Sequence, residues 1–198
     1  FVDGRIEYQT IGGHPPIGLC GSGILDAISQ LYLVSVIDFR GKMGNHPRVR
    51  VKDGIREFVL ISEEERKSEV GSREISNPKA ESRKRNGEKA VTITQHDVRE
   101  IQLAKGAIQA GIQVLLDKKG YSQDDIQRVI IAGAFGSYID IKSAVTIGML
   151  PDIPLDRFEQ VGNAAGMGVK MVLISRNMRT EAENLARKVN YIDLTAEP

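Results

Sequence analysis

The sequence predicts an α/β fold, in which strands alternate with helices along the chain. Short apolar stretches rich in branched residues are followed by longer stretches whose apolar residues recur every three or four positions. Glycine-rich turns lie where one kind of stretch passes into the other. With 198 residues, 41% of them hydrophobic, the chain can bury a core as one domain or as two small subdomains.

The first elements are a strand and a helix. Residues 5–11 alternate apolar and polar side chains, which predicts a half-buried strand, and residues 12–16 (GGHPP) end it. The loop Gly18–Gly23 then leads into a predicted helix with Ser22 as its N-cap. The apolar residues at helical spacing are Ile24, Leu25, Ile28, Leu31 and Tyr32.

A hairpin and a charged stretch come next. Two apolar stretches, residues 49–51 and 58–61, flank Asp53-Gly54, a dipeptide that readily supplies the positive φ angles of a tight turn, so we predict a β-hairpin. Residues 62–89 are dominated by charged and small polar side chains, which cannot bury enough apolar surface to become ordered by themselves. We interpret them as a solvated surface insertion; the alternative is an arm that binds a partner.

A long helix begins after Thr94, which has capping-box spacing with Asp97, and Gly120 ends it. Two apolar stripes run along it, so we expect it to be covered on two sides. Gly106 and Gly111 lie inside it despite the cost of glycine in a helix, of about 1 kcal/mol, which suggests that another element approaches closely.

The last third of the chain repeats the order of strand, glycine turn and helix. Residues 126–132 are typical of a strand that becomes fully buried, and they lead directly into Gly133–Ser137. This order places ligands at the carboxyl ends of strands in open α/β sheets. Residues 160–163 enter a second small-residue helix, from Ala164 to about Ser175. A polar helix and a final strand around Tyr191-Ile192 are predicted to close the chain.

Composition excludes several classes of partner. Lysine plus arginine (27) nearly balance aspartate plus glutamate (26), so there is no reason to expect nucleic acid or an anionic membrane as a partner. No apolar stretch is long enough to span a bilayer, and the single cysteine, Cys20, cannot form an internal disulfide. We therefore expect a cytoplasmic location. The chain begins at Phe1 without an initiator Met or a signal peptide, which we interpret as a cut inside a longer protein.

The glycine turns Gly18–Gly23, Gly133–Gly136 and Gly162–Gly168 are the candidate sites. Each would expose backbone N–H groups at a helix N-terminus, which favours a phosphate or an electron-rich ring edge. One such turn alone is also explained by tight packing of a helix on a strand, but three in one α/β chain indicate a nucleotide cleft.

Other familiar sites are absent from the sequence. No glycine loop ends in Gly-Lys-Ser or Gly-Lys-Thr, and none has the spacing G-x-G-x-x-G, which excludes a P-loop and a dinucleotide fingerprint. No H-E-x-x-H or C-x-x-C motif occurs, so we predict no metal site and assign no catalytic residue. The three histidines are interpreted as surface or capping residues and Cys20 as a small buried filler.

Four blocks of sequence carry a family resemblance. Residues 18–28 (GLCGSGILDAI), 93–105, 131–138 (IAGAFGSY) and 161–166 (VGNAAG) resemble, in this order, the C-terminal domain of reductive activators of corrinoid proteins. The resemblance covers nearly all of the chain except residues 62–89. It implies a lobe of an actin-like ATPase of the acetate and sugar kinase, heat-shock chaperone and actin (ASKHA) superfamily, with a ribonuclease-H-like sheet flanked by helices and a smaller inserted hairpin and helix subdomain.

The resemblance also implies a division of the chain and a set of site residues. Residues 1–45 would begin the lobe, residues 46–120 would form the inserted subdomain, and residues 121–198 would carry the adenosine motif. The implied nucleotide-binding residues are Gly133, Ala134, Phe135, Gly136, Ser137, Gln102, Lys105, Gly21, Ser22 and Gly23. The implied interdomain connector consists of Gly162, Asn163, Ala164 and Ala165. For Gln102 and Lys105 an ordinary exposed polar face is the alternative.

The activity implied by the resemblance uses ATP with Mg²⁺ to drive an electron from an iron–sulfur cluster to an inactive Co(II) corrinoid, restoring Co(I). The cluster would lie in an N-terminal domain that these residues lack, and the corrinoid in a partner protein of a methyltransferase system. We expect the fragment alone to bind nucleotide weakly and to hydrolyse none, since the phosphate-binding loops are also missing. The alternatives are a docking and homodimerisation module with a vestigial cleft, or a lobe of a small-molecule kinase of the same superfamily.

Overall fold

The computed structural model describes residues 6–66 and 89–194, and within them the chain is a mixed α/β protein, as predicted. The helices are α1 (Gly21–Leu33), α2 (Gln95–Lys119), α3 (Ile141–Thr146), α4 (Ala164–Ile174) and α5 (Arg176–Ala186). The strands are β1 (Val49–Lys52), β2 (Ile55–Ile61), β3 (Val91–Thr94), β4 (Val129–Ala132) and β5 (Phe158–Gly162). The chain divides into two compact units, Phe1–Ala104 and Lys105–Pro198.

An antiparallel sheet in the order β1-β2-β3 lies in the first unit. The predicted hairpin is confirmed: Val49 pairs with Phe58 and Lys52 with Ile55. Asp53 and Gly54 both have positive φ, 50° and 78°. Two successive residues of this conformation produce a turn whose twist matches that of the flanking strands.

The core of the first unit draws its side chains from α1, from the sheet, from the start of α2 and from the segment that follows α1. Its buried apolar side chains are Leu25, Ile28, Leu31, Val36, Ile37, Met43, Phe58, Leu60, Ile61, Val91, Ile93 and Val98. Phe58 is completely buried, and its ring centroid lies 5.4 Å from that of His46. Of the apolar residues predicted at helical spacing, Leu25, Ile28 and Leu31 are buried while Tyr32 is 41% exposed, so the spacing identified part of the buried face.

The long helix is confirmed at both ends. The Asp97 backbone N–H donates to Thr94 Oγ1 (3.1 Å), and the Thr94 N–H donates to Asp97 Oδ2 (2.8 Å), which together form the predicted capping box. After Lys119, Gly120 has a φ of 67°, the left-handed conformation that commonly follows the end of a helix.

The predicted cover on two sides of the long helix is wrong for the described residues. Val98 is the one buried residue of α2, while Leu103 is 69% exposed. Apart from its chain neighbours and the backbone of α2, no atom of another described residue lies within 4 Å of the position of a Cβ at Gly106, although a Cβ at Gly111 would lie 3.4 Å from Leu194 Cδ1. Helical spacing shows which side chains share a face, but it does not establish that anything covers that face.

In the second unit, β4 and β5 form a parallel pair, with Ile130 opposite Glu159 and Ile131 opposite Gln160. The prediction of a fully buried strand is wrong, since exposure alternates along β4 and Ile130 is 53% exposed. The described sheet has two strands here, so part of its apolar surface remains in solvent. A smaller core contains Ala144, Ile147, Met149 and Ile153.

Two further predicted strands do not form. Residues 6–10 are irregular and Ile11–Gly13 is a single 3-10 turn, while residue 5 lies outside the described range. Residues 191–193 are also irregular, and Tyr191 is 86% exposed. The predicted charged insertion falls mostly at residues 67–88, which lie outside the described residues. Across residues 6–66 and 89–194, no helix combines the length and apolar character needed to cross a membrane.

Candidate functional site

The turn after β4 lies at the carboxyl end of the parallel strand pair. Gly133 has a φ of 106°, a backbone conformation that residues other than glycine rarely adopt. Its N–H donates to Gly162 O (2.6 Å), the last residue of β5, so the ends of the two strands are joined at one edge. Among residues 6–66 and 89–194, no atom beyond the chain neighbours of Gly133 lies within 4 Å of the position of a Cβ there. The backbone of Gly133 is therefore open to a ligand.

Side-chain hydrogen bonds brace the rest of this turn. The Ser137 hydroxyl donates to Gly133 O (3.3 Å). Gln160 Nε2 donates to two carbonyl oxygens, Gly136 O (2.6 Å) and Ile139 O (2.9 Å). The turn is thus held by its own residues and by a side chain from the neighbouring strand.

Gly136 is required for close packing. It is buried, and a Cβ at this position would lie 2.7 Å from Ile131 Cγ2. The turn therefore packs directly against the strand that precedes it. In contrast, Ala134, Phe135, Ser137 and Tyr138 are exposed, and Phe135 and Tyr138 present aromatic rings to solvent (53% and 76% exposed). Exposed rings beside an open backbone are a surface on which a flat base could stack.

Helix α4 begins beside the same edge. Asn163 is its N-cap, and Asn163 Oδ1 accepts a hydrogen bond from the Gly166 N–H (2.9 Å). Ala164 and Ala165 follow in the first turn, both exposed. A Cβ at Gly162 would lie 3.6 Å from Ser137 Oγ, so the start of α4 and the glycine turn are neighbours.

The first glycine loop forms the start of α1, and its cap differs from the prediction. Gly21, Ser22 and Gly23 lie inside the first turn, and Cys20 is the N-cap, with Sγ accepting a hydrogen bond from the Gly23 N–H (3.4 Å). Ser22 as N-cap is therefore wrong, because the helix begins two residues earlier than predicted. Cys20 as a buried filler is also wrong, since it is exposed.

The surroundings of Cys20 favour its thiolate. The Ser22 hydroxyl, 3.4 Å from Sγ, and then the Gly23 N–H lower the pKa of the Cys20 thiol, and burial acts in the opposite direction. Hydrogen bonds of this kind stabilise the charged form more than the neutral one.

We expect alkylation of Cys20 by iodoacetamide to persist to lower pH in the folded chain than in the same chain unfolded in urea. The thiolate is the reactive form, so a lowered pKa moves the midpoint of the rate profile to lower pH. Ser22→Ala should move that midpoint back up, because it removes the largest cause of the shift. Identical midpoints in the folded and unfolded chain would contradict this assignment.

Gln102 and Lys105 each donate to a backbone carbonyl. Gln102 Nε2 donates to Arg40 O (3.0 Å) in the first unit. Lys105 Nζ donates to Ile147 O (2.6 Å) at the end of α3 in the second unit. Both side chains thus have partners within the protein. Their contact with a nucleotide remains a prediction.

Two surface depressions lie elsewhere in the second unit. One, of about 540 Å³, runs along α5 beside Thr180 and Glu181, and the other, of about 430 Å³, is lined by Lys142, Asp152 and neighbouring residues. Both are shallow, and neither includes the glycine turns. The Gly133 turn is the stronger candidate site, because its backbone is open and side-chain hydrogen bonds hold its shape. Among residues 6–66 and 89–194, no three or more His, Cys, Asp or Glu side chains are grouped to hold a metal ion.

Sequence reasoning missed Gln160. It was included in a segment that enters a helix, but no role was given to its side chain. The available signal was its position two residues before Gly162 in a strand parallel to β4. That signal identifies a side chain only once the pairing of the strands is known.

Comparison with known proteins gives consistent similarities. The sequence profile described as "C-terminal domain of RACo the ASKHA domain" matches residues 2–77 and 72–198. The chain is 34% identical, over 207 aligned residues, to "Corrinoid activation enzyme RamQ" of Eubacterium limosum, covering 99% of this chain and 32% of that protein. It is 26% identical over 99 residues to "[Co(II) methylated amine-specific corrinoid protein] reductase" of Methanosarcina barkeri, which covers 50% of this chain and 18% of that protein.

A solved structure, "Reductive activator for corrinoid,iron-sulfur protein", has a TM-score of 0.79 and 38% sequence identity. The similarity covers 96% of this chain and 28% of that one. The chain therefore spans about a third or less of the length of the relatives it matches.

Proposed function

Because the chain belongs to the family of the C-terminal ASKHA domain of RACo, which confirms the resemblance found in the sequence, we propose that it is the nucleotide-binding domain of an ATP-dependent reductive activator. The substrate of this activator is a Co(II) corrinoid held by a partner protein of a methyltransferase system. The names of the relatives support this, since two of them act on corrinoid proteins and a third is called a corrinoid activation enzyme.

The open turn at Gly133 is the observation that carries the nucleotide role. The turn lies at the carboxyl end of a parallel strand pair, where open α/β folds bind ligands. Its backbone is unobstructed at Gly133, and Phe135 is exposed beside it. Adenosine fits this chemistry, because a ring or ribose can approach the glycine backbone and a base can stack on an aromatic side chain. In this proposal Gly133 to Ser137 hold the nucleoside. The nucleotide contacts of Gly21 to Gly23, Gln102 and Lys105 are proposed from the family resemblance alone.

Helix α4 supports the proposed connector at Gly162, Asn163, Ala164 and Ala165. This helix carries one charged residue, Lys170, yet Met167, Leu173 and Ile174 are 58%, 69% and 86% exposed. A helix that is apolar on all sides is usually buried. Its small first-turn residues would allow another helix to cross closely, as a connector between two lobes requires.

The positions of the two sheets are compatible with the proposed division of the chain, although the boundary between the two compact units, after Ala104, lies inside the proposed inserted subdomain. The antiparallel sheet β1-β2-β3 falls within residues 46–120, the proposed inserted subdomain, and the parallel pair β4-β5 falls within residues 121–198, the proposed adenosine part. Residues 1–45 contribute α1 and its glycine loop to the lobe.

This chain alone cannot hold the iron–sulfur cluster that would donate the electron. An iron–sulfur cluster needs several thiolates, and Cys20 is the single cysteine. We therefore propose that the cluster, and the groups that hold Mg²⁺ and the phosphates, are supplied by another part of the full-length protein. ATP supplies the driving force for reduction when it is bound. The residues of this chain bind and orient the nucleoside, and the chain alone hydrolyses no ATP.

Isothermal titration of the full-length gene product with ATP and Mg²⁺ tests the proposal. We expect saturable binding, and ATP-dependent loss of the Co(II) absorption of the partner corrinoid protein when a reductant is present. GTP serves as the control nucleotide. Absence of any ATP binding would contradict the nucleotide role and favour a docking module with a vestigial cleft.

Reading the full coding sequence provides a second test. A C-x₄-C-x₂-C cysteine cluster outside these residues supports the activator, because it supplies thiolates for a cluster. A sugar- or acid-binding lobe in its place would favour a small-molecule kinase.

A further inference from the structure

We propose that Gln160 is a positioning residue of the nucleotide site, which keeps the Gly133 turn in its binding-competent shape by donating two hydrogen bonds. This inference rests on the proposed nucleotide function of the turn. It assigns the role to the amide N–H groups of Gln160, and it does not require Gln160 to contact the nucleotide.

The geometry of the carboxamide supports this assignment. Gln160 Nε2 lies 2.6 Å from Gly136 O and 2.9 Å from Ile139 O. A carboxamide nitrogen has two N–H donors, so both are used on the same turn. Gly136 is the first residue of the 3-10 turn Gly136–Tyr138 and Ile139 follows its last residue, so one side chain holds both ends of it.

Two other hydrogen bonds of this turn hold its first residue rather than its end. The first residue, Gly133, is fixed by its N–H bond to Gly162 O, and the Ser137 hydroxyl reaches back to Gly133 O. Neither contact involves the carbonyls of Gly136 and Ile139. Without Gln160, these carbonyls lose a shared donor.

Gln160 is well placed to act on the turn without supporting the core. It lies in β5 opposite Ile131 of β4, in the strand pair that the turn follows, and it is exposed. Removing this exposed side chain takes no apolar group out of the core, so we expect the thermal unfolding midpoint to fall only by the loss of the hydrogen bonds to the Gly136 and Ile139 carbonyls. The effect should instead appear in the affinity for the nucleotide.

Gln160→Glu tests the donors specifically. The carboxylate has nearly the same size but offers only acceptors to two carbonyl oxygens, so it should repel them. When the introduced carboxyl is protonated, it again has one O–H to donate. Its pKa should lie above the ordinary value of about 4.3, because the carbonyls disfavour the charged form. Affinity should therefore be low near neutral pH and recover in part as the pH falls.

The matched control is Glu159→Gln. Glu159 is the preceding residue of the same strand, so its side chain points to the opposite face, where Glu159 Oε2 pairs with Arg128 Nη1 (3.2 Å). This change also exchanges a carboxylate and a carboxamide. It should leave ATP binding unchanged.

The experiment measures the dissociation constant for ATP with Mg²⁺ in the full-length gene product at about pH 7.5 and about pH 5. The dissociation constant of each variant is divided by the wild-type value at the same pH, because ATP itself titrates in this range. We expect Gln160→Glu to weaken binding by about tenfold at the higher pH and less at the lower pH. Gln160→Met should weaken binding without a pH dependence, and it provides the test if Gln160→Glu does not fold.

Two outcomes are distinguishable. If wild type binds ATP and both Gln160 variants bind it within twofold of wild type, the positioning role is refuted while the nucleotide function stands. If wild type itself binds no ATP, the proposed function fails and this inference fails with it.

Discussion

Gly133→Val should abolish measurable ATP binding by the full-length gene product, with a loss of at least about a hundredfold, equivalent to about 2.7 kcal/mol. Gly133 has a φ of 106°, and the space where a Cβ would stand is open. In the proposed site that space belongs to the nucleoside. A branched side chain would fill it, and the strain of this backbone conformation, on the order of 1–3 kcal/mol, would also move the turn.

A control variant separates the loss of space for the ligand from the strain of the backbone. Gly120 also has a positive φ, 67°, and nothing in the described part of the chain beyond its neighbours in sequence lies within 4 Å of its Cβ position. It follows the end of α2 and is not part of the proposed site. Gly120→Val should cost comparable stability in thermal unfolding and keep the affinity for ATP. Wild-type affinity in Gly133→Val would refute the assignment of the cleft to this turn.

Phe58→Ala should lower the free energy of unfolding by about 3–5 kcal/mol, the usual cost of truncating a buried aromatic side chain. Phe58 is completely buried in the central strand of the antiparallel sheet, where it pairs with Val49 on one side and Ile93 on the other. Its ring also lies against that of His46. Truncation would leave a cavity that the paired strands cannot collapse to fill.

Urea unfolding followed by circular dichroism measures this loss. Phe39→Ala is the matched control, because Phe39 is 78% exposed and the same atoms are removed. A change at an exposed site should remain within about 0.5 kcal/mol. Equal losses for the two variants would contradict the assignment of Phe58 to the core.

Local patterns predicted many of the regular elements. The capping box at Thr94 and Asp97 and the glycine after Lys119 identified both ends of α2. Asp53-Gly54 identified the hairpin turn, and Asn163 introduces α4 much as expected. These features depend on residues within a few positions of one another, so their physical causes are present in a short stretch of sequence.

Burial was predicted less well. Alternating side chains in residues 5–11 and apolar residues around Tyr191 suggested strands, but no strand partner pairs with them in the described part of the chain. The same reasoning overestimated the burial of β4 and of the second stripe of α2. A strand or an apolar face needs a partner, and the pattern of one segment carries no information about whether that partner exists.

The sequence by itself determined the family, the α/β class and the glycine turns, since these depend on residue order and on local backbone preference. The tertiary structure decided which side chains act together: Gln160 reaches Gly136 and Ile139 across 24 and 21 residues, and Lys105 reaches Ile147 across 42. It also decided that Cys20 caps a helix in solvent. Hydrogen bonds between distant residues and the exposure of each side chain arise only when the chain is folded, because they depend on which segments become neighbours in space.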